Sequence, residues 1–321
     1  MKSDHAQGPS ARAEIDSGIV FFKGELMPIK NASVSIATHG LNYGTGCFEG
    51  MRAYWNGERK DLYIVKARQH FERFLGSAKI LKIQIPYTVE ELVEWTRQVL
   101  SANHFQQDVY IRPLAFKGAA MIKVALSGIR DELGIFAVPM GDYVATEGLK
   151  AKVSNWVRIA DNIIPSRAKV TGAYINAALA NDDATIDGYD EAIMLSQDGQ
   201  VAEASSSNLF IVRKGTLITT PVTADILEGI TRQSMFELAA HLGIPMRERP
   251  IDRTELYVAD EVFLCGTGVQ VAGVVEIDHR VVGTGGTGPI TEALQRAYFH
   301  AVRGDDPQYE GWVTPVYQGE G

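Results

Sequence analysis

Apolar and polar residues follow two different periods along the chain, and the period distinguishes strands from helices. Alternation over two residues predicts hairpins at "GIVFFKGELMPI" and "MRAYWNGERKDLYIV", the second with an Asn56-Gly57 turn. Helical spacing appears in "RQHFERFLGSAKIL" and in "TVEELVEWTRQVLSAN", which opens with a Thr88 to Glu91 capping box. The apolar segments "DVYIRPLAF" and "ELGIFAVPM" predict two buried strands.

The second half of the chain carries the same two signals in a mixed order. The predicted elements there are strand "AKVSNWVRI", a helix over about 172–186, strands "EAIML" and "NLFIV", helix "ITRQSMFELAAHLG", strand "ADEVFLCG" and an amphipathic helix over 289–302. Hairpins with clustered helices, without a strict βαβ rhythm, predict an α+β fold in two lobes. We expect a flexible tail over 1–15, a small α+β domain over 16–139, an interdomain linker over 140–150 and a large domain over 151–321.

Composition and charge narrow the function classes. The net charge of -8 argues against nucleic acid or an anionic membrane as a partner. No apolar run approaches the roughly 18 residues of a membrane span, and the N-terminus has no signal-peptide core. Two distant cysteines, Cys47 and Cys265, fit a reducing compartment and predict a cytoplasmic protein. The seven histidines form no pair at ligand spacing, so we expect no metal site.

Two glycine-threonine segments are candidate phosphate sites. "EGITRQSM" places Gly229, Ile230 and Thr231 where a helix begins, and free N–H groups at a helix start attract phosphate. "CGTGVQ" places Gly266, Thr267 and Gly268 directly after a buried strand. An ordinary helix cap and an ordinary strand-end turn remain the alternatives. Neither segment has a Walker lysine, which favours a small phosphorylated cofactor over a nucleoside triphosphate.

One lysine has unusually small and apolar neighbours in the sequence. Lys169 lies in "IPSRAKVTGAYINAAL", whereas a hydrated surface lysine normally has polar neighbours. A desolvated amine could serve as a nucleophile, and a solvated lysine at a helix edge is the alternative. Pyridoxal phosphate requires such an amine, phosphate donors, a partner for its ring nitrogen and a group near its phenolate oxygen. Glu203, in a predicted turn between two strands, and Tyr174 are candidates for the last two requirements.

With these segments the chain resembles the class IV, fold type IV, pyridoxal-phosphate aminotransferases, and most closely the branched-chain amino acid aminotransferases. The resemblance runs from about residue 18 to residue 313. It is carried by seven segments in order, which are "HGLNYGTGCFEGMRAY", "HFERFLGSAKIL", "YIRPLAF", "IIPSRAKVTGAY", "VAEASSSNLF", "LEGITR" and "ADEVFLCGT". It implies a two-domain fold similar to D-amino-acid aminotransferase, with the cofactor between the lobes, and a homodimer or higher homo-oligomer.

The resemblance also implies roles for individual residues. Lys169 would hold pyridoxal 5'-phosphate as a Schiff base and later move a proton, Glu203 would face the ring nitrogen, and Tyr174 would bond the phenolate oxygen. The phosphate would be held by Arg73, Gly229, Ile230, Thr231, Gly266 and Thr267. The substrate side would be lined by Tyr43, Phe48, Tyr110, Arg112, Met140, Tyr143, Thr267 and Gly268. Taken singly, Phe48 and Tyr110 could be core aromatics and Arg73 a solvated helix residue.

Within the class, "YIRP" and the absence of an Arg-x-His tripeptide after Phe116 favour branched-chain L-amino acids as donors. Leucine, isoleucine and valine would pass their amino group to 2-oxoglutarate, giving branched-chain 2-oxo acids and L-glutamate, as in branched-chain amino acid biosynthesis. Two departures bear on the substrate range, namely Met140 in place of a common tryptophan and Met121, Ile122 and Lys123 in place of a glycine-rich loop. The alternatives are a relative specific for D-amino acids or (R)-amines, an aminodeoxychorismate lyase, and a cofactor-free binding protein.

Overall fold

The computed structural model describes residue 15, residues 17–141 and residues 148–317. The strands within these ranges are β1 (Ile19–Phe22), β2 (Glu25–Pro28), β3 (Gly46–Phe48), β4 (Met51–Asn56), β5 (Asp61–Val65), β6 (Val109–Lys117), β7 (Asp131–Pro139), β8 (Leu149–Val153), β9 (Glu191–Leu195), β10 (Val201–Ala204), β11 (Asn208–Arg213), β12 (Thr216–Thr219), β13 (Met246–Glu248), β14 (Glu261–Gly266), β15 (Gln270–Ile277), β16 (Arg280–Val281) and β17 (Val313–Pro315).

The α-helices of the same ranges are α1 (His39–Tyr43), α2 (Ala67–Ile80), α3 (Val89–Ala102), α4 (Tyr174–Ile186), α5 (Ile230–His241) and α6 (Pro289–Val302). Short 3₁₀ segments occur at Ile29–Asn31, Thr171–Ala173, Arg253–Val258 and Pro307–Trp312. No helix in the described part of the chain has the length and apolar character needed to cross a membrane.

The first sheet has the strand order β17-β5-β4-β6-β7-β1-β2, and β3 pairs with β6. Helices α2 and α3 pack together and bury Phe71, Phe74 and Leu92 in the core of this lobe. Strand β6 alternates strictly between buried and half-buried residues. Because side chains of a strand alternate between its two faces, Tyr110 and Arg112 share the face opposite the core.

The second sheet has the order β10-β9-β8-β15-β14-β11-β12-β13, and β16 pairs with β15. Its pairs β8–β9, β8–β15 and β12–β13 are parallel and the others antiparallel. Helices α5 and α6 pack against its central strands β14 and β15. This lobe supplies Lys169, Glu203 and the start of α5, and the α+β fold class predicted from the sequence is confirmed.

Several local predictions need correction. The strand predicted at "AKVSNWVRI" ends at Val153, because the Trp156 N–H bonds back to Ser154 Oγ and the chain bends there. Glu203 lies in strand β10 and not in a turn.

The division at residues 139 and 151 stays a prediction, but the last strand, β17, pairs with β5 of the first sheet. The chain therefore returns to the first lobe after α6. Most of the predicted tail, residues 1–14, and the middle of the predicted linker, residues 142–147, lie outside the described residues.

Candidate active site

A cavity of about 1280 Å³ is lined by residues of both lobes. Fourteen of the residues expected from the sequence line it together, namely Phe48, Arg73, Tyr110, Arg112, Met140, Lys169, Tyr174, Glu203, Gly229, Ile230, Thr231, Gly266, Thr267 and Gly268. Tyr43 is not brought to this lining, because it ends helix α1 with its ring against His39, at 4.6 Å between ring centroids. Tyr143 lies outside the residues that the structure describes.

The backbone of Lys169 is fixed by both lobes. Its N–H donates to Ser77 Oγ in α2 at 3.2 Å, and its carbonyl accepts from the Phe48 N–H in β3 at 3.0 Å. The side-chain amine hydrogen-bonds to the Tyr174 hydroxyl and lies 4.9 Å from the ring centroids of Phe48 and Tyr174. Lys169 is therefore half-buried between two aromatic rings, and its interpretation as a freely solvated lysine is not supported.

Glu203 is 4% exposed and borders the cavity. Arg158 Nη2 lies 2.7 Å from one of its oxygens, and Asn208 Nδ2 donates to the other at 2.9 Å. Burial raises the pKa of Glu203, while Arg158 and the Leu227 N–H oppose that rise. Sequence reasoning missed Arg158 and Asn208, because only the fold brings them to Glu203.

A buried ion pair fixes Arg73. Arg73 Nε and Nη2 each donate to one oxygen of Glu49 at 2.8 Å, and Nη1 donates to the Glu228 carbonyl at 2.7 Å. His70 Nδ1 lies 2.8 Å from the same carboxylate. This two-pronged pairing holds the guanidinium of Arg73 in one orientation at the cavity wall.

The protonation of this cluster follows from its burial. Burial opposes the ionisation of Glu49, but Arg73 and His70 outweigh it and hold the pKa of that carboxyl well below its usual range. Burial lowers the pKa of His70, so its neutral ring donates through Nδ1 to the carboxylate. Glu49 and His70 were missed from the sequence, although His70 and Arg73 stand three residues apart on one face of the predicted helix.

Helix α5 begins beside Arg73 without a side-chain cap. Gly229 is its N-cap residue and no side-chain hydrogen bond closes this end. A Cβ atom at Gly229 would lie 2.0 Å from Asn208 Oδ1, so the close approach requires glycine. The first-turn N–H groups of Ile230 and Thr231 are left without intrahelical partners, which makes the helix start an anion site.

The opposite wall of the cavity combines a cation with aromatic rings. Arg112 Nη2 donates to the Tyr110 hydroxyl at 3.0 Å, and the guanidinium lies 4.4 Å from the Phe48 ring centroid. Arg112 Nε is buried and has no hydrogen-bond partner among the described residues. This wall can therefore accept a carboxylate and pack against an apolar side chain.

The comparisons with known proteins agree with this geometry. The sequence model of the amino-transferase class IV family matches residues 46–277. A probable branched-chain-amino-acid aminotransferase of Aquifex aeolicus (strain VF5) is 48% identical over 92% of this chain and 96% of its own length.

Two solved structures are similar over 94% of this chain and 100% of their own chains. The branched-chain aminotransferase from Thermoproteus uzoniensis with norvaline superposes with a TM-score of 0.91 at 44% identity. A T.th. branched-chain amino acid aminotransferase complexed with N-(5'-phosphopyridoxyl)-L-glutamate gives 0.90 at 39% identity. The chain therefore belongs to the class IV aminotransferase family.

Proposed function

We propose that the protein is a pyridoxal-phosphate-dependent aminotransferase that moves the amino group of branched-chain L-amino acids to 2-oxoglutarate. The observation that carries the proposal is the Lys169 amine, hydrogen-bonded to Tyr174 in a cavity that also presents Glu203 and the uncapped start of α5. These groups are the amine, phenol, carboxylate and phosphate donors that this cofactor requires. The solved relatives hold a phosphopyridoxyl adduct and an aliphatic amino acid.

The residues present fit pyridoxal phosphate end to end. Arg73 and the N–H groups of Ile230 and Thr231 would hold the phosphate, with Thr267 beside them. Gly229 supports this fit, since any larger residue would meet Asn208 at the helix start. Glu203 would face the ring nitrogen, Tyr174 the phenolate oxygen, and Lys169 the reactive carbon. When bound, the cofactor supplies an electron sink for the charge that develops at the substrate Cα.

The side chains have separate tasks in such a reaction. Burial raises the pKa of Glu203, Arg158 and the Leu227 N–H oppose that rise, and a protonated ring nitrogen would add a further positive partner for the carboxylate. The Tyr174 hydroxyl positions the Lys169 amine, which accepts and returns a proton at Nζ. Phe48 and Tyr174 cover this amine with their rings and limit the access of water.

Both half-reactions must use one pocket for an apolar side chain and for the side-chain carboxylate of glutamate. Phe48, Leu114 and Phe136 provide apolar walls, while Arg112 and Tyr110 provide polar groups on the same side. We place amino acids and 2-oxo acids as the small-molecule partners. Met140 lines the cavity too, and its flexible side chain would tolerate some variation in donor shape.

We also propose a homodimer or higher homo-oligomer. Five large apolar residues are exposed on two segments, with between 39% and 91% of the surface of each accessible to solvent. We call them the 36–41/121–124 patch, and they are Ile36, Leu41, Met121, Ile122 and Val124. Its two segments are joined, because the Met121 N–H donates to the Ala37 carbonyl at 3.2 Å. Large exposed apolar side chains on two joined segments favour burial against a second subunit.

We propose a cytoplasmic location, which agrees with the reduced state of the two cysteines. Cys47 and Cys265 are both free and buried, and burial raises the pKa of the Cys47 thiol to about 12. Buried thiols of this kind are inert residues of the core, and the sequence offers no further cysteine for a disulfide.

The test is an amino-donor panel with 2-oxoglutarate, followed by glutamate formation. We expect L-leucine, L-isoleucine and L-valine to react within about a hundredfold of one another, because one methylene changes binding by only about 1–3 kcal/mol. D-Alanine and (R)-1-phenylethylamine at equal concentration should be much slower. A faster rate with either would favour the interpretation as a D-amino acid or (R)-amine enzyme.

A further inference from the structure

A buried lysine joins the two lobes to the segment that follows α6. Lys66, directly before α2, is 3% exposed, and its Nζ donates to Glu237 Oε1 of α5 at 2.8 Å. The Trp312 indole donates to the other oxygen of Glu237 at 2.8 Å, and its ring centroid lies 4.0 Å from Lys66 Nζ. The Lys66 N–H donates to the Trp312 carbonyl at 2.5 Å. We call Lys66, Glu237 and Trp312 the clasp.

The environment of Lys66 is unfavourable for a lysine in two respects. Burial removes water from the ammonium and lowers the pKa of Lys66, while the bond to Glu237 opposes this shift. The backbone φ of Lys66 is 46°, in the left-handed region that residues other than glycine rarely adopt. Such a conformation persists only where the surrounding contacts enforce it. The contacts within the clasp must therefore outweigh both effects.

The clasp lies in line with the candidate phosphate site. Arg73 follows Lys66 by seven residues, and Glu237 follows Ile230, the first residue of α5, by the same number. Seven helical residues span roughly 10.5 Å, or about two turns. At the second of these points Arg73 Nη1 donates to the carbonyl of Glu228, shortly before α5, at 2.7 Å. The two helices are therefore joined at two points about two turns apart, and they run in opposite directions.

We propose that the clasp keeps Arg73 and the start of α5 directed at one phosphate group, an inference that rests on the proposed function. Arg73 belongs to the first lobe and the N–H groups of Ile230 and Thr231 to the second, so both can hold one anion only while α2 and α5 keep their spacing. Glu49 fixes the guanidinium within the first lobe, whereas the clasp fixes α2 relative to α5. Lys66 does not line the cavity and is thus a positioning residue.

The chain offers variants that separate the clasp from burial in general. Lys66→Met removes the ammonium, and Lys66→Arg restores a cation that can donate to Glu237. Trp312→Phe removes only the indole N–H and keeps an aromatic ring, so it is the milder variant if Lys66→Met does not fold. Lys117→Met is the matched control, because Lys117 is also buried and pairs with Asp131 at 2.8 Å, but within the first sheet and outside the cavity lining.

The first test titrates the cofactor-free protein with pyridoxal phosphate and with pyridoxal, which lacks the phosphate. For Lys66→Met we expect the Kd for pyridoxal phosphate to rise about tenfold and the Kd for pyridoxal to stay within about twofold. Lys66→Arg should return the first Kd to within about threefold of the unaltered protein, and Trp312→Phe should raise it about threefold. Lys117→Met should change neither constant. Equal weakening for both ligands, or an unchanged Kd for pyridoxal phosphate, would overturn the proposal.

The second test asks whether Lys66 acts through Arg73. In Arg73→Ala the cationic contact with the phosphate is already absent, so the spacing of the two helices no longer matters for it. Adding Lys66→Met to this variant should raise the Kd for pyridoxal phosphate by less than about twofold. Effects that add in full would overturn the proposal, since they would show that the two residues act independently.

The outcome also separates this inference from the proposed function. If the unaltered protein binds pyridoxal phosphate but transfers no amino group from L-leucine, and Lys66→Met still weakens the binding of pyridoxal phosphate alone, the proposed function fails and the role of the clasp stands. If the protein transaminates L-leucine and Lys66→Met binds pyridoxal phosphate as the unaltered protein does, the role of the clasp alone fails.

Discussion

The environment of each titratable side chain in the cavity differs, and the differences arise from contacts with distant parts of the chain. Glu203 is buried among neutral donors and one guanidinium, whereas Glu49 is buried against a guanidinium and an imidazole. Burial prevails at Glu203 and raises its pKa, while the partners prevail at Glu49 and lower its pKa. Two buried glutamates therefore have opposite tendencies to hold a proton.

Replacing Glu203 by glutamine should slow amino transfer while the cofactor stays bound. The amide cannot form a charge-assisted bond to a protonated ring nitrogen, so we expect a loss of about a hundredfold or more in kcat. Glu191→Gln is the control, because Glu191 is a half-buried glutamate on the neighbouring strand β9 that does not line the cavity. Near-normal turnover in Glu203→Gln, with cofactor bound, would refute the role of this carboxylate.

Replacing Glu49 by glutamine should change how stability depends on pH. The folded pKa of Glu49 lies below its unfolded value, so its contribution is fully present above the unfolded pKa and is lost as pH falls toward the folded pKa. We expect Glu49→Gln to lower the free energy of unfolding of the cofactor-free protein by about 3–5 kcal/mol at pH 7. This cost should shrink between about pH 5 and pH 3, measured by urea unfolding.

The control for that experiment is Glu72→Gln on α2, the helix that carries Arg73, where the carboxylate is exposed and pairs with Arg68. Its effect should stay within about 0.5 kcal/mol at every pH. A cost for Glu49→Gln that is constant with pH would contradict the assignment of Glu49 as an ionised partner of Arg73.

Some of these residues could be predicted from the sequence and others could not. Lys169 is signalled by its apolar neighbours, because these imply burial of an amine. No comparable local signal marks Glu49, Arg158 or Arg52, since each of them contacts residues from another part of the sequence. For example, Arg52 Nε in β4 donates to the Thr267 carbonyl, and the two residues are 215 positions apart in the sequence. No periodic pattern encodes a contact over such a separation.

At the scale of elements, the start of α5 is the point where packing and phosphate binding depend on one glycine. Asn208 fills the space beside Gly229 and donates both to Glu203 and to the Leu227 carbonyl. The helix itself was predicted correctly to begin at Ile230, because the Gly-Ile-Thr sequence precedes a regular helical pattern. The contact with Asn208 could not be predicted, since it joins β11 to this helix.

Gly229→Ala should therefore displace Asn208 and disturb both the carboxylate and the helix start. We expect weaker cofactor retention, by about tenfold or more, measured by dialysis and visible absorbance. Gly76→Ala in α2 is the matched control, because a Cβ there meets nothing within 4 Å. That control should stabilise the protein by about 1 kcal/mol and leave retention unchanged. Retention in Gly229→Ala equal to that of the unaltered protein would argue against the phosphate site.

Strand boundaries show the limit of periodic patterns. The apolar segment "DVYIRPLAF" predicted a buried strand over nearly the residues that β6 occupies, whereas the half-buried cavity face of that strand is seen only in the structure. The apolar residues after Val153 suggested a longer strand, but a local hydrogen bond from Trp156 to Ser154 turns the chain there. Tertiary contacts of this kind override a local preference.

At the scale of the whole molecule, the chain crosses between its two sheets more than once. The β4–β5 hairpin lies beside β17, so the C-terminal segment completes the first sheet. The cavity is consequently lined by residues from both sheets. A boundary drawn from a composition change along the sequence cannot represent this return.

The 36–41/121–124 patch predicts an oligomer. Ile122→Glu places a charge on a residue that is 74% exposed, which should shift the protein toward monomers and lower its activity in parallel. Val281→Glu is the control, since Val281 is 61% exposed on β16. Sedimentation at assay concentration should show at least a dimer for the unaltered protein. A fully active monomer would contradict the prediction.

The most direct measurement is a single-turnover reaction with L-leucine in the absence of any amino acceptor. The account predicts one equivalent of 4-methyl-2-oxopentanoate per subunit, with a stoichiometric change in cofactor absorbance and no further product. Addition of 2-oxoglutarate should then restore the absorbance and release one equivalent of L-glutamate, and Lys169→Ala should do neither at a comparable rate. Continuous product formation without an acceptor, or full activity in Lys169→Ala, would contradict the central claim.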